Sequence, residues 1–290
     1  MTSSTALPER AGRRCQSALN SFHAMHYFSP ELSTELAKTG IEDSAAVYLA
    51  IRAAAMGAVG PGAVTAAFYN FSHTLVARHV PHIWSVAAPR TVLDARLRVA
   101  DTSLRRLLGD AALESAEMAE AARLALRAAE ACTPYARPLF AAHADLPVPD
   151  APHLALWHAA TLLREHRGDG HLMTLLDAEL DAVEALVTHT ASGRGMSFEW
   201  IMRTRGWSEE EWAAAQDRLR GRGLLDAAGG LTPAGEQLRK DLEDATDRLD
   251  RAPYEHLGAA GVARLTELTA GFVTPAVAAG AFPADLFGKS

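Results

Sequence analysis

Cysteine is nearly absent from this chain. Cys15 and Cys132 are the only two in 290 residues, far apart and outside any CxxC or Cys/His spacing. That excludes a disulfide framework and a zinc module, and makes a reducing compartment the simplest expectation. Lysine is as scarce: only Lys38, Lys240 and Lys289 stand beside many arginines, and the formal charge is -7. A chain with that balance does not coat nucleic acid by charge alone, because neutralising phosphates needs a surplus of cations. No run approaches the ~18 apolar residues of a membrane span, and the N-terminal "MTSSTALPERAGRRCQSALN" lacks an apolar signal core. A soluble, cytoplasmic protein with no membrane partner is expected. There is no phosphate-binding glycine loop and no G-x-S-x-G elbow, and "GAVGPG" lacks a following Lys-Ser/Thr, so neither NTP hydrolysis nor serine hydrolysis has support.

What is present favours helix. Leu, Ala, Arg, Glu and Asp dominate, aromatics make up 7% and hydrophobic residues 49%, so the expected fold is mainly α with a sizeable core. Length suggests about two domains. Apolar residues recur at helical spacing from Arg13 to Tyr27, and Ser29-Pro30 reads as an N-cap with proline at N1. "SAAVYLAIRAAAMGAV" and "AVTAAFYNFSHTLVARHV" read as two helices around "GAVGPG", and 91–131 as two more. Five prolines in 133–153 predict an extended or looped connector. "LALWHAATLLREH" then reads as a buried helix broken at Gly168 and Gly170, with Asp169 capping a second one that runs through "LMTLLDAELDAVEALVTHTA". The resulting division is a helical N-terminal domain (1–132), the connector (133–153), a central helix pair (154–196), a winged-helix domain (197–255) and a C-terminal tail (256–290).

The clearest supersecondary signal is in 197–250. A short helix to Arg203, the turn "TRGW", and a helix with the Ser208/Glu211 capping box outline a helix-turn-helix. "GLLDAAGGLT" reads as a short two-stranded wing, and Thr232-Pro233 restarts helix. The segment resembles the winged helices of MarR-type regulators, whose wing is likewise followed by "LT" and a helix. The resemblance implies that the second helix enters the major groove. Yet that helix begins with Glu209, Glu210 and Glu211, the wing tip "DAAGG" carries no cation, and the segment holds 8 Arg/Lys against 12 Asp/Glu. A packing or dimerisation role competes with DNA binding, for which Arg203, Arg205, Arg218, Arg220 and Arg222 are the candidate contacts.

The stretch "LREHRGDGH" sets Arg164, Glu165, His166, Arg167, Asp169 and His171 between two apolar runs. Gly168, Asp169 and Gly170 read as a helix break and cap. The other five read either as an internal ion-pair network or as a ligand site. His158, Thr161 and Glu165 are spaced i, i+3, i+7, one helical stripe, with His158 and Glu165 about 10 Å apart along the axis. His166 and His171 with His158 or Glu165 offer metal-ligand atoms, but no H-x-x-x-H or H-E-x-x-H spacing is present and no metal site is assigned. Tyr69 and His73 read as i, i+4 on one face beside Asn70, and "HAMHYF" adds His23, His26 and Tyr27. Arg52, inside an apolar helix, needs a counter-charge: Glu165, Asp169 or a bound carboxylate.

"HYFSPE" (26–31), "RAAAMGAVGPGAVTAAFYNFSH" (52–73), "LWHAATLLREHRGDGH" (156–171) and "RGWSEEEW" (205–212), in this order, look like the actinobacterial helix-turn-helix proteins labelled SalK-like. The resemblance runs from about residue 20 to 255 and implies helices plus a winged helix, without a settled reaction. Two functions follow. One is a small-molecule-binding, regulator-like protein, a homodimer by expectation, in which Arg52, Arg164 and Arg167 hold an anionic group and His158, Glu165 and Tyr69 orient the rest, with Asn70, His73, Thr161 and His171 nearby. The other is an enzyme on a winged-helix scaffold, with His158 or His166 and Glu165 as acid/base pair. No cofactor is identified.

Overall fold

A computed structural model describes residues 6–283. The fold is helical, and about half of its helices are opened by a short polar side chain that caps the first turn. The first is α1 (Ala11–Ala24), extended by a 3₁₀ turn at Met25–Phe28. Next come α2 (Pro30–Ala37), α3 (Ser44–Ala53), α4 (Pro61–Phe68), α5 (His73–His79) and α6 (His82–Val86). Ser29 caps α2 with Pro30 at N1, Asp43 caps α3 and Ser72 caps α5. The stretch expected as one helix from Ala63 is two, because Tyr69 takes a positive φ of 57° and breaks the turn. Tyr69 and His73 therefore share no helix face.

The chain continues through α7 (Pro89–Leu108), α8 (Asp110–Leu113), α9 (Ala116–Ala129), α10 (Pro138–Ala144) and α11 (Pro152–Asp177). The proline-rich connector thus contains a short helix, with Pro138 in its first turn, where the missing N–H costs nothing. The larger correction concerns α11: it runs unbroken for 26 residues through Gly168, Asp169 and Gly170. The break falls later, where Glu179 has a positive φ of 54° and Asp181 forms a capping box with Glu184 to open α12 (Ala182–Ala191).

The helix-turn-helix segment comprises α13 (Phe198–Thr204) and α14 (Glu209–Gly221), the latter opened by the Ser208/Glu211 capping box. Thr232 caps α15 (Pro233–Leu249). Between α14 and α15 no two-stranded wing forms. The pairing is a single antiparallel bridge, Leu225 to Leu231, around a turn in which the Asp226 carboxylate accepts from Gly230 N at 2.9 Å. Two backbone hydrogen bonds flank the bridge, Asp226 N to Gly230 O at 2.9 Å and Thr232 N to Leu224 O at 3.1 Å, and the pairing goes no further. The expected tail is instead α16 (Ala252–Ala278), kinked at Gly258 and packed against α1 and α9.

Three apolar cores result. One joins α1, the end of α7, α9, the first half of α11 and α16. A second joins α2 to α6 with the start of α7. The third joins the end of α11 with α12 to α15. Helix α11 touches α1, α7, α9, α10 and α15, so its side chains reach the junction of all three. No single helix among the described residues is long and apolar enough to cross a membrane.

Candidate functional site

The predicted stripe of α11 is buried: His158, Thr161 and Glu165 are 5%, 1% and 2% exposed. Thr161 spends its hydroxyl hydrogen on Trp157 O one turn back, at 2.9 Å. Glu165 accepts from the adjacent Arg164 guanidinium and from Arg52 Nη2 at 3.3 Å. Of the partners open to Arg52, the fold supplies Glu165. Arg52 lies 4.3 Å over the Phe68 ring, and Arg164 lies 5.9 Å from the Tyr27 centroid. Burial pushes the Glu165 carboxyl up, but Arg164 and Arg52 outweigh it and hold the group at about 2. Glu165 is thus a fixed anion.

Two arginines join this pair that spacing did not assign to it. Arg205, a DNA-contact candidate, is only 7% exposed and sits 4.4 Å over Phe71 and 5.8 Å from Tyr48. It is the residue that closes α13 in the helix-turn-helix turn, and it points into the protein. Arg96 of α7 is 2% exposed, 4.6 Å over Trp157, and donates to His143 Nε2 at 2.9 Å and His23 Nε2 at 3.4 Å. Those imidazole nitrogens must accept, so both rings are neutral. His143 then carries its proton on Nδ1 and donates it to Leu139 O at 2.8 Å. Burial, then Arg96, push His143 down to about 3 and His158 to about 4. His26 Nδ1 donates to His23 O at 2.6 Å, and its protonation is suppressed by burial and by Arg96.

Tyr27, Tyr48 and Phe71 form the aromatic frame, with Tyr27 and Tyr48 centroids 5.4 Å apart and Tyr48 stacked on Phe71 at 5.4 Å. Burial raises the Tyr27 phenol. At Tyr48 burial acts the same way, but Arg52, Arg205 and Arg164 prevail and lower it. Three guanidiniums, Arg52, Arg164 and Arg96, therefore share one firmly ionised carboxylate, and Arg205 adds a fourth cation beside Tyr48. Asp169 is poor compensation, because burial raises it to about 6 against the opposing Phe140 N–H. The Tyr27 hydroxyl, Arg52 Nε, Arg96 Nε and His26 Nε2 are buried without a hydrogen-bond partner among the described residues. Such groups are costly unless something pairs with them.

The rest of "LREHRGDGH" fastens α11 to its neighbours. His166 Nδ1 meets Asp250 at 2.8 Å, Arg167 meets Asp247 at 2.7 Å and Glu243 at 3.0 Å, and His171 Nδ1 meets Thr246 Oγ1 at 2.9 Å. Asp169, expected as a cap, accepts from Phe140 N at 2.9 Å. Arg137, unremarked in the sequence, donates to His166 O and, at 2.9 Å, to Leu249 O. Neither His158 nor His166 hydrogen-bonds Glu165, whose oxygens are taken by Arg164 and Arg52. Tyr69 donates to Leu180 O and His73 pairs with Thr65 at 2.9 Å, both away from Glu165. Asn70 contributes its carbonyl to Trp207 Nε1 at 3.0 Å.

The remaining DNA candidates are engaged on the protein. Arg218 pairs with Asp181 and Glu184, Arg220 with Asp217, and Arg222 with the carbonyls of Glu179 and Ala178. Arg203 lies 4.7 Å over Trp200. Among the described residues no group of three His, Cys, Asp or Glu side chains is placed to hold a metal ion.

A helical protein with a capped helix-turn-helix and a buried cationic centre is the class this structure defines. Comparison with known families agrees: a model described as a helix-turn-helix family matches residues 12–283, and the chain belongs to that family. No curated protein and no solved structure matches it significantly.

Proposed function

We propose that the protein is a ligand-responsive helix-turn-helix protein, regulator-like in the manner of the SalK-like and MarR-type proteins it resembles, whose buried cluster binds an anionic small molecule. One observation carries this reading: Arg52, Arg164 and Arg96 lie in the field of the one ionised carboxylate of Glu165, and Arg205 adds a further buried cation beside Tyr48. Uncompensated buried charge costs several kcal/mol per ion, and a bound anion removes that cost. Of the cluster's cations, Arg96 lines a surface-open pocket, and Arg52 and Arg164 keep 11% and 22% of their side-chain surface accessible. An enzymatic role has less support, because guanidiniums, not an imidazole, occupy Glu165.

The test is thermal unfolding of the full chain against inorganic phosphate, citrate, octanoate and phenylacetate, each beside an uncharged analogue. At least one anion class is expected to raise the melting temperature, and Arg164→Met to weaken that anion several-fold through the lost charge. No stabilisation by any anion, or equal stabilisation by the uncharged analogues, overturns the proposal. The regulator half has its own test. Fragments of the protein's own promoter region are expected to bind at low salt and to be released steeply as salt rises, and absence of binding at low salt sinks it.

A further inference from the structure

Arg96 is a buried charge with no carboxylate partner. Its side chain is 2% exposed, yet its hydrogen-bonded partners are two neutral imidazoles, and its Nε has none. It lines the floor of a half-open pocket of about 70 Å³, together with His158 and Thr161 from α11. His158 is also nearly buried, and no described residue hydrogen-bonds its ring. The upper walls are apolar and include Leu93, Leu97, Leu146 and Pro147. At the rim Arg90 is matched by Asp94 at 3.0 Å, so the rim adds little net charge.

We infer that this pocket takes the carboxylate of a monocarboxylic acid with an apolar body, anchored by the Arg96 guanidinium and the His158 ring. The inference rests on the proposed function in that it takes the ligand to be an anion, and it adds the place and the chemical class. The pocket presents one fixed positive charge, which matches a monoanion and leaves a phosphate dianion half compensated. A neutral imidazole supplies one N–H, enough for one carboxylate oxygen, while the guanidinium supplies the other contact. The volume holds a few waters, which suits a carboxylate and its first carbons but not a drug-sized ligand. The apolar upper walls then meet the continuing hydrocarbon or ring, and exclude a sugar or a second carboxylate there. Neutrality of His158 follows from its burial and from Arg96, and a carboxylate beside it would raise its proton affinity.

Isothermal titration of the full chain with octanoate and phenylacetate, against octanol, octylamine and inorganic phosphate, reads the proposal directly. One or both acids are expected to bind, and the alcohol, amine and phosphate not to. Leu97→Trp narrows the pocket without touching a charge, and Arg96→Met keeps the volume while removing it. Each is expected to cost about tenfold or more in affinity for the acid, about 1.4 kcal/mol. Circular dichroism of both variants checks that they fold. If Arg96→Met does not fold, Leu97→Trp alone decides. Binding of the acids unchanged in Leu97→Trp overturns this site and leaves the anion-binding function standing. Preference for phosphate overturns the class of ligand. Failure of every anion to bind overturns both readings.

Discussion

Glu165 and Arg96 show how much a single buried charge can decide. The carboxylate pairs with two guanidiniums and compensates one of their two charges, so its removal leaves Arg52 and Arg164 with no counter-ion in an apolar frame. Glu165→Gln is expected to lower stability by about 3–5 kcal/mol, the usual cost of breaking a buried pair from one side. Anion affinity is expected to move the opposite way, because the cluster gains net positive charge. Urea unfolding with and without the bound anion measures both, and a loss of affinity together with stability contradicts the electrostatic account. Arg52 was legible in the sequence as a charge inside an apolar helix. Arg96 obeys the same rule, lying between the buried Val92 and Val99 on the inner stripe of α7. It escaped notice because Arg90, Arg98, Arg105 and Arg106 make the whole helix look solvated. Arg205 reads as a surface cation in a turn, and only the packing of Phe71 and Tyr48 beneath it draws it inward.

Three caps announced their helices in the sequence, Ser29-Pro30, Ser208 with Glu211, and Thr232-Pro233, whereas Ser72 and the Asp181/Glu184 box lie inside stretches that read as continuous helix. Where tertiary contacts overrule propensity, the sequence misleads, and α11 is the main example. Two glycines one residue apart cost a helix about 1 kcal/mol each relative to alanine, so a break there is the natural reading. The structure keeps the helix because Gly170 admits Arg137: a Cβ at Gly170 would lie 2.7 Å from Arg137 Nη1, which bonds the His166 carbonyl. At Gly168 the nearest foreign atom to a Cβ is Glu165 Oε2, at an unstrained 3.8 Å. The two substitutions should therefore diverge. Gly168→Ala is expected to stabilise by up to about 1 kcal/mol. Gly170→Ala is expected to destabilise by about 1–3 kcal/mol as the charged hydrogen bonds of Arg137 are displaced. Thermal or urea denaturation measures both, and destabilisation of similar size by Gly168→Ala would mean that the helix is broken there after all.

The cluster sits where the three cores meet. Trp157 belongs to the first and Tyr48 and Phe71 pack in the second, while Arg205 reaches back to Met196 of the third with a 3.1 Å contact to its sulfur. The helix-turn-helix turn is seated in the same place: Ser72 N donates to Arg205 O at 2.9 Å, Trp207 Nε1 to Asn70 O at 3.0 Å, and a Cβ at Gly206 would fall 2.5 Å from Leu75 Cβ. Protonation at this junction acts on the whole molecule. His23, His26, His143 and His158 are all nearly buried and all have lowered proton affinity in the folded state, first through burial and then through neighbouring charges. A depressed folded value means that the unfolded chain binds more protons below the ordinary 6.5. The stability these groups contribute is full above pH 6.5 and is lost as pH falls toward about 4 for His158 and about 3 for His143. Asp169 works in reverse: its value is raised to about 6 from 3.8, so its contribution is full below 3.8 and lost as pH rises through 6. With His171 and His189, also lowered to about 4, these imidazoles outnumber the raised carboxyls of Asp169 and Asp250, so unfolding takes up several protons inside this window, each worth about 1.4 kcal/mol per pH unit. Urea midpoints measured at pH 7.5, 6.5 and 5.5 should therefore be close at the first two and fall sharply at the third, earlier than carboxylate titration alone would cause. His143→Gln should reduce that slope by about one proton's worth, about 1.4 kcal/mol per pH unit. A midpoint that stays level from pH 7.5 to 5.5 would mean that these imidazoles are charged or solvated in the folded protein, and the cationic centre with them.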